Sequence, residues 1–286
     1  MHISTLVSDI YSLVQTKGWF TDELSEDFAR SVARRLQTHF NDEKGTPRLR
    51  LSKMGPSCPR ALWTSIHQPE LAEPLPPAAI IKYSYGHILE ALAITLAKAA
   101  GHEVTGEQDE VSVDGIVGHR DCVIDGCIVD VKSASSRSFQ KFRDGSIKED
   151  DPFGYLDQLD GYLVGSIDDG LVRTKDRGYI LAIDKQLGHM CLYEHYLRET
   201  SIIERIKRSK EIVGQHVPPV CTCGVVCDGK SGNQRLDTRA SYSPFKHACF
   251  PSLRTFLYAD GPRYLTKVVR TPDVPEIDRD GRRVYN

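Results

Sequence analysis

Two aspartates and a lysine near the middle of the chain have types and spacing that suggest chemistry. Residues 116–132 read Ile-Val-Gly-His-Arg-Asp-Cys-Val-Ile-Asp-Gly-Cys-Ile-Val-Asp-Val-Lys. Asp125-Gly126 is a two-residue hairpin signal between β-prone runs, because both residues tolerate the positive φ of a type I′ turn. A turn of that length fixes the register. Ile124 then faces Cys127, Val123 faces Ile128, Cys122 faces Val129 and Asp121 faces Asp130. Opposed carboxylates on one sheet face repel unless positive charge lies between them, and a divalent cation would supply it. The two-residue period of a strand puts Lys132 on the face of Asp130, and His119 is expected across the ladder from Lys132. The opposite face, with Cys122, Ile124, Cys127, Val129 and Val131, is apolar and suited to a helix layer.

Glu90 is the third acid. Residues 86–101 read as a helix, with Leu89, Leu92, Ala93 and Leu96 at helical spacing and Gly101 as its C-cap. Glu90 is expected in the first turn, on one face with Ala93, Ile94 and Ala97. Alone, it reads as a solvated glutamate favoured by the helix dipole. Packed over the hairpin, it completes a group of three acids and a lysine.

The elements that would hold these groups follow from apolar periodicity and punctuation. Residues 1–40 suggest two helices, one through Leu6, Ile10 and Leu13, the other from a Thr21 cap through Leu24, Phe28, Val32 and Leu36. Polar, basic residues 41–53 and proline-rich residues 70–78 read as connections. Between them, Pro59 suits the first turn of a short helix carrying Leu62 and Trp63. Gln158 and Tyr162 lie four apart in a helical segment, 155–164, and share a face. Taken alone, that pair reads as a helix packing Tyr162 into a core. Residues 178–184 and 189–195 read as two more strands, followed by a helix over 196–213.

Taken together, these motifs resemble the PD-(D/E)XK nucleases, and within them the RecB-type exonucleases. The matching residues are Gly86-His87-Ile88-Leu89-Glu90, Gly118-His119-Arg120-Asp121, Asp130-Val131-Lys132 and Gln158-Leu159-Asp160-Gly161-Tyr162, across residues 86–165. Arg120 stands where the family name expects proline. The resemblance implies that Glu90, Asp121, Asp130 and the main-chain carbonyl of Val131 hold one or two Mg²⁺ or Mn²⁺ ions, hard cations matched to oxygen ligands. It implies that Lys132 orients or deprotonates the attacking water, with Gln158 and Tyr162 positioning lysine, water or substrate. The implied fold is α/β: a mixed central β-sheet flanked by helices, a restriction-endonuclease-like core. Residues 1–50 would be an N-terminal helical extension, 51–215 the nuclease core with the Cys58 element, and 216–286 a C-terminal cysteine-bearing segment packing back on the core.

Of the eight cysteines, Cys58 stands in a Cys-Pro-Arg context and Cys221, Cys223, Cys227 and Cys249 gather late. Iron–sulfur members of the RecB-type group carry one cysteine before the core and three after it, spaced Cys-x2-Cys-x5-Cys. That spacing, drawn back from Cys249, falls on Ala240 and Ser243. The close-set Cys221, Cys223 and Cys227 offer replacements, so Cys58 with three of the four later cysteines is expected to hold an iron–sulfur (4Fe–4S) cluster or a zinc ion. The alternative is a relic whose cluster is lost.

The 286 residues carry 37 Lys and Arg against 39 Asp and Glu, a net charge of −2, with 40% hydrophobic residues. That balance excludes a disordered or fibrous chain and a uniformly basic coat, so contact with DNA must come from local patches. Two basic stretches qualify: Arg30, Arg34, Arg35, Lys44, Arg48, Arg50, Lys53 and Arg60 against Asp42 and Glu43, then Arg137, Lys141, Arg143 and Lys148 against Asp144. No signal peptide or membrane span is evident, and a cytoplasmic location is expected, in the host if the protein is phage-encoded. The expected function is a metal-dependent DNA exonuclease acting at DNA ends in recombination, repair or phage DNA processing. A single-strand-binding or annealing protein is an expected partner type. Alternatives are a structure-dependent endonuclease and a non-catalytic, metal-bearing nucleic-acid-binding subunit.

Overall fold

The Asp125-Gly126 turn folds as its residues demand, with φ of 50° at Asp125 and 78° at Gly126. The computed structural model describes residues 1–41, 46–55, 57–279 and 281–284; Asp42, Glu43 and Lys44 of the first basic stretch lie outside them. Helices are α1 (Leu6–Val14), α2 (Asp22–Asn41), α3 (Pro59–His67), α4 (Pro77–Ala99), α5 (Ser136–Asp144), α6 (Tyr155–Gly165), α7 (Glu199–Val213), α8 (Thr238–Ser241) and α9 (Lys246–Cys249). Strands are β1 (Val104–Thr105), β2 (Glu110–Val113), β3 (Ile116–His119), β4 (Cys122–Ile124), β5 (Cys127–Ala134), β6 (Arg177–Asp184), β7 (Met190–Tyr196), β8 (Val225–Cys227), β9 (Gln234–Leu236), β10 (Arg254–Tyr258), β11 (Gly261–Lys267) and β12 (Glu276–Ile277). Two compact units result. One comprises residues 1–46, 50–55 and 76–204, the other 47–49, 56–75 and 205–286, so the division falls within α7. Cys58 and its helix belong to the second unit, with the cysteines they were expected to meet.

The first unit is built on a mixed sheet of order β1-β4-β5-β6-β7. The β4–β5 hairpin has the expected register, Ile124 opposite Cys127 and Cys122 opposite Val129. Strand β5 runs parallel to β6, which a crossover through α5 and α6 makes possible. Cys122, Ile124, Cys127, Val129 and Val131 point into one core with Ala93, Ile94, Leu96 and Ala97 of α4 and Leu181 and Ile183 of β6. Helix α1 adds Leu6 and Ile10 to that core. Each fully buried aliphatic side chain of this kind contributes roughly 1.5–3 kcal/mol.

Helix α4 begins at Pro77, not Gly86. The proline-rich stretch read as a connection ends in a proline at the first helical position, where its fixed φ fits and its missing N–H costs no hydrogen bond. Glu90 is therefore a mid-helix residue rather than a first-turn one, which removes the helix-dipole explanation for it. The helix closes as expected: Gly101 takes φ of 87°, and the His102 N–H donates to the Ala97 carbonyl at 3.1 Å.

His119 does not face Lys132. Strand β3 pairs with β2 in a separate two-stranded sheet, Glu110 opposite His119. The chain joins the β4–β5 ladder only at Cys122; just before it, Arg120 N–H donates to the Asp109 carbonyl, and Gln108 N–H to that of Asp121. Helix α6 packs closely beside this branch. A Cβ on Gly118 would lie 2.8 Å from Tyr162 Cε1 and 2.9 Å from Leu51 Cβ, and one on Gly178 would lie 2.9 Å from Leu159 Cδ1.

The second unit is an antiparallel sheet of order β12-β10-β11-β9-β8 with α3, α8 and α9. Ala240, where the iron–sulfur pattern expects a ligand, is buried in a small core with Leu236 and Leu253. Ser243, the other such position, accepts the Phe245 N–H through its hydroxyl. Among the described residues, no helix is long and apolar enough to cross a membrane.

The close seating of α6 gives the first prediction. Gly118→Ala should lower the unfolding free energy by roughly 1–3 kcal/mol, because two packed side chains must move to admit one methyl group. Urea unfolding of the two proteins at matched pH measures it, and an unchanged midpoint would contradict the packing described.

Candidate active site

Three acids from three segments approach the C-terminal half of β5. Glu90 comes from the middle of α4, Asp121 from the segment entering β4, and Asp130 from β5. Asp121 stands next beyond the last ladder pair, and its Oδ2 accepts the Val131 N–H at 2.7 Å. That bond fixes the carboxylate beside Asp130. Glu90 Oε1 receives Arg35 Nη1 at 2.6 Å and Gln108 Nε2 at 2.8 Å, and the same amide nitrogen lies 3.5 Å from Asp121 Oδ1. One glutamine thus spans two of the acids.

Asp130 is 1% exposed. Lys132 Nζ lies 2.7 Å from its Oδ2, yet neither carboxylate oxygen has a well-directed hydrogen bond. The contact is an ion pair of poor hydrogen-bond geometry, so coordination capacity at Asp130 is left over. Lys132 Nζ also donates to Gln158 Oε1 at 3.3 Å and lies 5.1 Å from the centroid of the Tyr155 ring. Gln158 Nε2 donates to Tyr162 Oη at 2.7 Å. That bond turns the amide so that its oxygen addresses the lysine.

The electrostatics match the crowding of acids. Burial, with the nearby Asp121 carboxylate adding to it, pushes Glu90 up to about 8, against the opposing pull of Arg35. Burial pushes Asp130 up to about 7, although Lys132 pulls it down. Burial alone would lower Lys132, but Asp130 and Asp121 outweigh it and hold the ammonium above the ordinary lysine range. Lys132 is thus held as an ammonium in this arrangement, a donor of hydrogen bonds. His87 is held below the usual histidine range by burial and by His39 and Arg35.

The donor types in this group are those a hard divalent cation takes. The donors are carboxylate oxygens, two of them buried on Asp130 without a directed hydrogen bond, and the raised acids mark a place that is short of positive charge. The structure brings together Glu90, Asp121, Asp130, Lys132, Gln158 and Tyr162, and Val131 through its N–H. The three acids do not close on one point: among the described residues, only the cysteines discussed below gather three or more His, Cys, Asp or Glu ligand atoms within 4.8 Å.

Two participants are absent from the sequence motifs. Arg35 appears there only as a member of a basic stretch, yet it is 8% exposed and paired with Glu90. Its signal was spacing: Arg35 follows Phe28 and Ser31 at helical intervals on the inward face of α2. Gln108, with φ of 59°, sits in an irregular segment that no periodicity marks. Arg120, in the place of the family proline, is 1% exposed and bound by Asp109 at 2.9 Å, Asp169 at 2.6 Å and Ser166 at 3.1 Å. It anchors the branch that carries Asp121.

In the second unit, Cys58, Cys221, Cys223 and Cys249 bring their sulfurs within 4.8 Å of one another. Cys227 does not join them. It lies exposed in β8, where pairing with Gln234 fixes its direction. The set is therefore Cys58 with Cys221, Cys223 and Cys249, a soft-ligand group distinct in chemistry from the acids.

The raised acids generate the second prediction. Both folded-state values exceed the ordinary 4.5 and 3.8 of free glutamate and aspartate, so the folded chain binds more protons than the unfolded one between them. Their contribution to stability is then complete below about pH 4 and is lost as pH rises through 7 and 8. The melting temperature without divalent ions should fall between about pH 5 and about pH 8.5, and Mg²⁺ should restore it more at the higher pH. Differential scanning calorimetry of wild type and of a Glu90→Gln, Asp130→Asn variant checks this; parallel pH profiles would refute it.

No family model and no curated protein matches the sequence. Among solved structures, the chain is similar to the crystal structure of SSO0001, with 17% identity, coverage of 77% of this chain and 95% of that one, and a TM-score of 0.41. It is also similar to an alkaline exonuclease (LHK-Exo) from Laribacter hongkongensis, with 12% identity, coverage of 59% and 87%, and a TM-score of 0.42.

Proposed function

We propose that this protein is a divalent-cation-dependent nuclease of the PD-(D/E)XK type, hydrolysing phosphodiester bonds of DNA as an exonuclease of the RecB kind. The observation that carries the reading is Asp130: a buried carboxylate with no directed hydrogen bond, beside Asp121 and an ammonium held by Gln158. A structural ion pair has no need of that surplus of acid, whereas a metal site does.

Glu90, Asp121, Asp130 and the Val131 carbonyl would hold one or two Mg²⁺ or Mn²⁺ ions, which when bound lower the pKa of water and polarise the scissile phosphate. The remaining work falls to this chain's own groups. Arg35 and Gln108 fix the Glu90 carboxylate, and the Val131 N–H fixes that of Asp121. Lys132, protonated beside Asp130, presents a donor to the attacking water or to a phosphate oxygen. Gln158 and Tyr162 act as positioning residues, setting where that ammonium points. Exposed Arg137, Arg143 and Lys148 follow β5 in the chain and would offer phosphate contacts.

The test is cleavage of 5′- and 3′-labelled linear DNA against circular DNA, with and without Mg²⁺. Degradation from ends that spares circles is expected, and cutting of circles would favour the endonuclease reading. Asp130→Asn should abolish cleavage and raise the melting temperature without metal, because it deletes a buried charge. Lys132→Ala should lower turnover roughly 10²–10⁴-fold with DNA affinity nearly unchanged. Cleavage by Asp130→Asn at the wild-type rate would overturn the proposal.

A further inference from the structure

The sulfur–sulfur distances in the second unit decide between the two occupants that the cysteine pattern suggested. Cys58 Sγ lies 3.7 Å from Cys221 Sγ and 3.9 Å from Cys249 Sγ, and all four sulfurs fall within 4.8 Å of one another. Zinc–thiolate bonds of about 2.3 Å arranged as a regular tetrahedron require sulfur–sulfur edges of about 3.8 Å. A 4Fe–4S cluster places each thiolate on a different iron, outside a cube that itself contains four irons and four sulfides, so its thiolates stand much farther apart. The enclosure here has no room for that cube. The iron–sulfur cluster that the family pattern implies does not fit these four residues, and one tetrahedral ion does.

We propose that Cys58, Cys221, Cys223 and Cys249 form a closed tetrathiolate site for a single zinc ion. Four soft ligands in a tetrahedron select zinc over the hard cations suited to the carboxylates of the first unit, and divalent affinity at such a site rises from iron to zinc. With four thiolates the site has no open position for substrate or water, so its role is structural. Main-chain donors support the sulfurs: the Thr222 N–H reaches Cys58 at 3.3 Å and the Cys223 N–H reaches Cys221 at 3.5 Å. Such N–H···S bonds stabilise thiolates and fix the ligand loop. Cys58 is also the N-cap residue of α3, where the positive end of the helix favours a thiolate. All four are free thiols, so disulfide pairing does not account for their meeting.

The ion would tie residues 163 and 191 positions apart, joining the start of α3 to the loop before β8 and to the end of α9. Chain closure on that scale makes the ion a main determinant of the unit's stability. The proposal does not depend on the nuclease reading: its ligands, its metal chemistry and its readout are separate.

The experiment is metal analysis of the full-length protein purified without oxygen, so that any iron–sulfur cluster survives. About one zinc per chain, no acid-labile sulfide and no visible absorption band are expected. Exchange with Co²⁺ should give the intense charge-transfer and d–d bands of a tetrahedral tetrathiolate. Cys227→Ser should keep its zinc, whereas Cys249→Ser should lose it and melt at a lower temperature. If Cys249→Ser fails to fold, titration of wild type with an organomercurial should release zinc to a chromogenic dye as thiols are consumed. Iron with labile sulfide, one iron in place of zinc, a metal-free protein with an unchanged melting temperature under chelation, or loss of zinc in Cys227→Ser would each overturn the proposal.

Discussion

The first unit is organised around the cost of keeping acids close together inside a protein. Placing Asp121 beside buried Asp130 and within reach of Glu90 raises the energy of the folded chain unless cations answer it. The neighbouring architecture supplies partial answers from every side: Arg35 from α2, Lys132 from β5, the Val131 N–H from the same strand, and the Gln108 amide from the irregular segment before β2. The sheet fixes where Asp121 and Asp130 stand, α4 brings Glu90, α2 brings the neutralising Arg35, and α6 holds Gln158 and Tyr162, which aim Lys132. Arg120, itself sunk among Asp109, Asp169 and Ser166, keeps the branch carrying Asp121 from drifting.

What could be read from the sequence was what short-range rules determine. The Asp125-Gly126 pair dictates a turn, the turn dictates the register, and the register divides the hairpin into an apolar face and an acid-bearing one. The same rules misplaced His119, because they extend a ladder past the point where it ends; the chain is drawn off at Arg120 by pairing with Asp109, a tertiary contact with no local signature. Glu90 was found in the right helix but at the wrong depth. Pro77 was read as punctuation, although a proline at the first helical position starts a helix as readily as it ends one. Arg35 and Glu90 are 55 positions apart, and no pattern within either helix announces their meeting.

The cysteines show the same boundary from another direction. Spacing identified a group of five and could not choose four, since Cys221, Cys223 and Cys227 are equally close-set in the chain. Strand pairing makes the choice, turning Cys227 outward in β8 while Cys249 at the end of α9 closes the set. The positions where the family pattern expects ligands have other duties here: Ala240 fills a core, and Ser243 caps a turn.

The contact between Lys132 and Asp130 has one more consequence. An ammonium already seated 2.7 Å from that carboxylate is a resident counterion, and any divalent cation drawn to Asp130 would have to compete with it. Part of the attraction of the acids is spent beforehand on the lysine, so under the proposed nuclease reading metal occupancy would track the free concentration of the ion instead of saturating at trace levels. Under that nuclease reading this one side chain would serve both as tool and as counterweight, and the ease with which it yields would set the metal concentration at which the protein becomes competent.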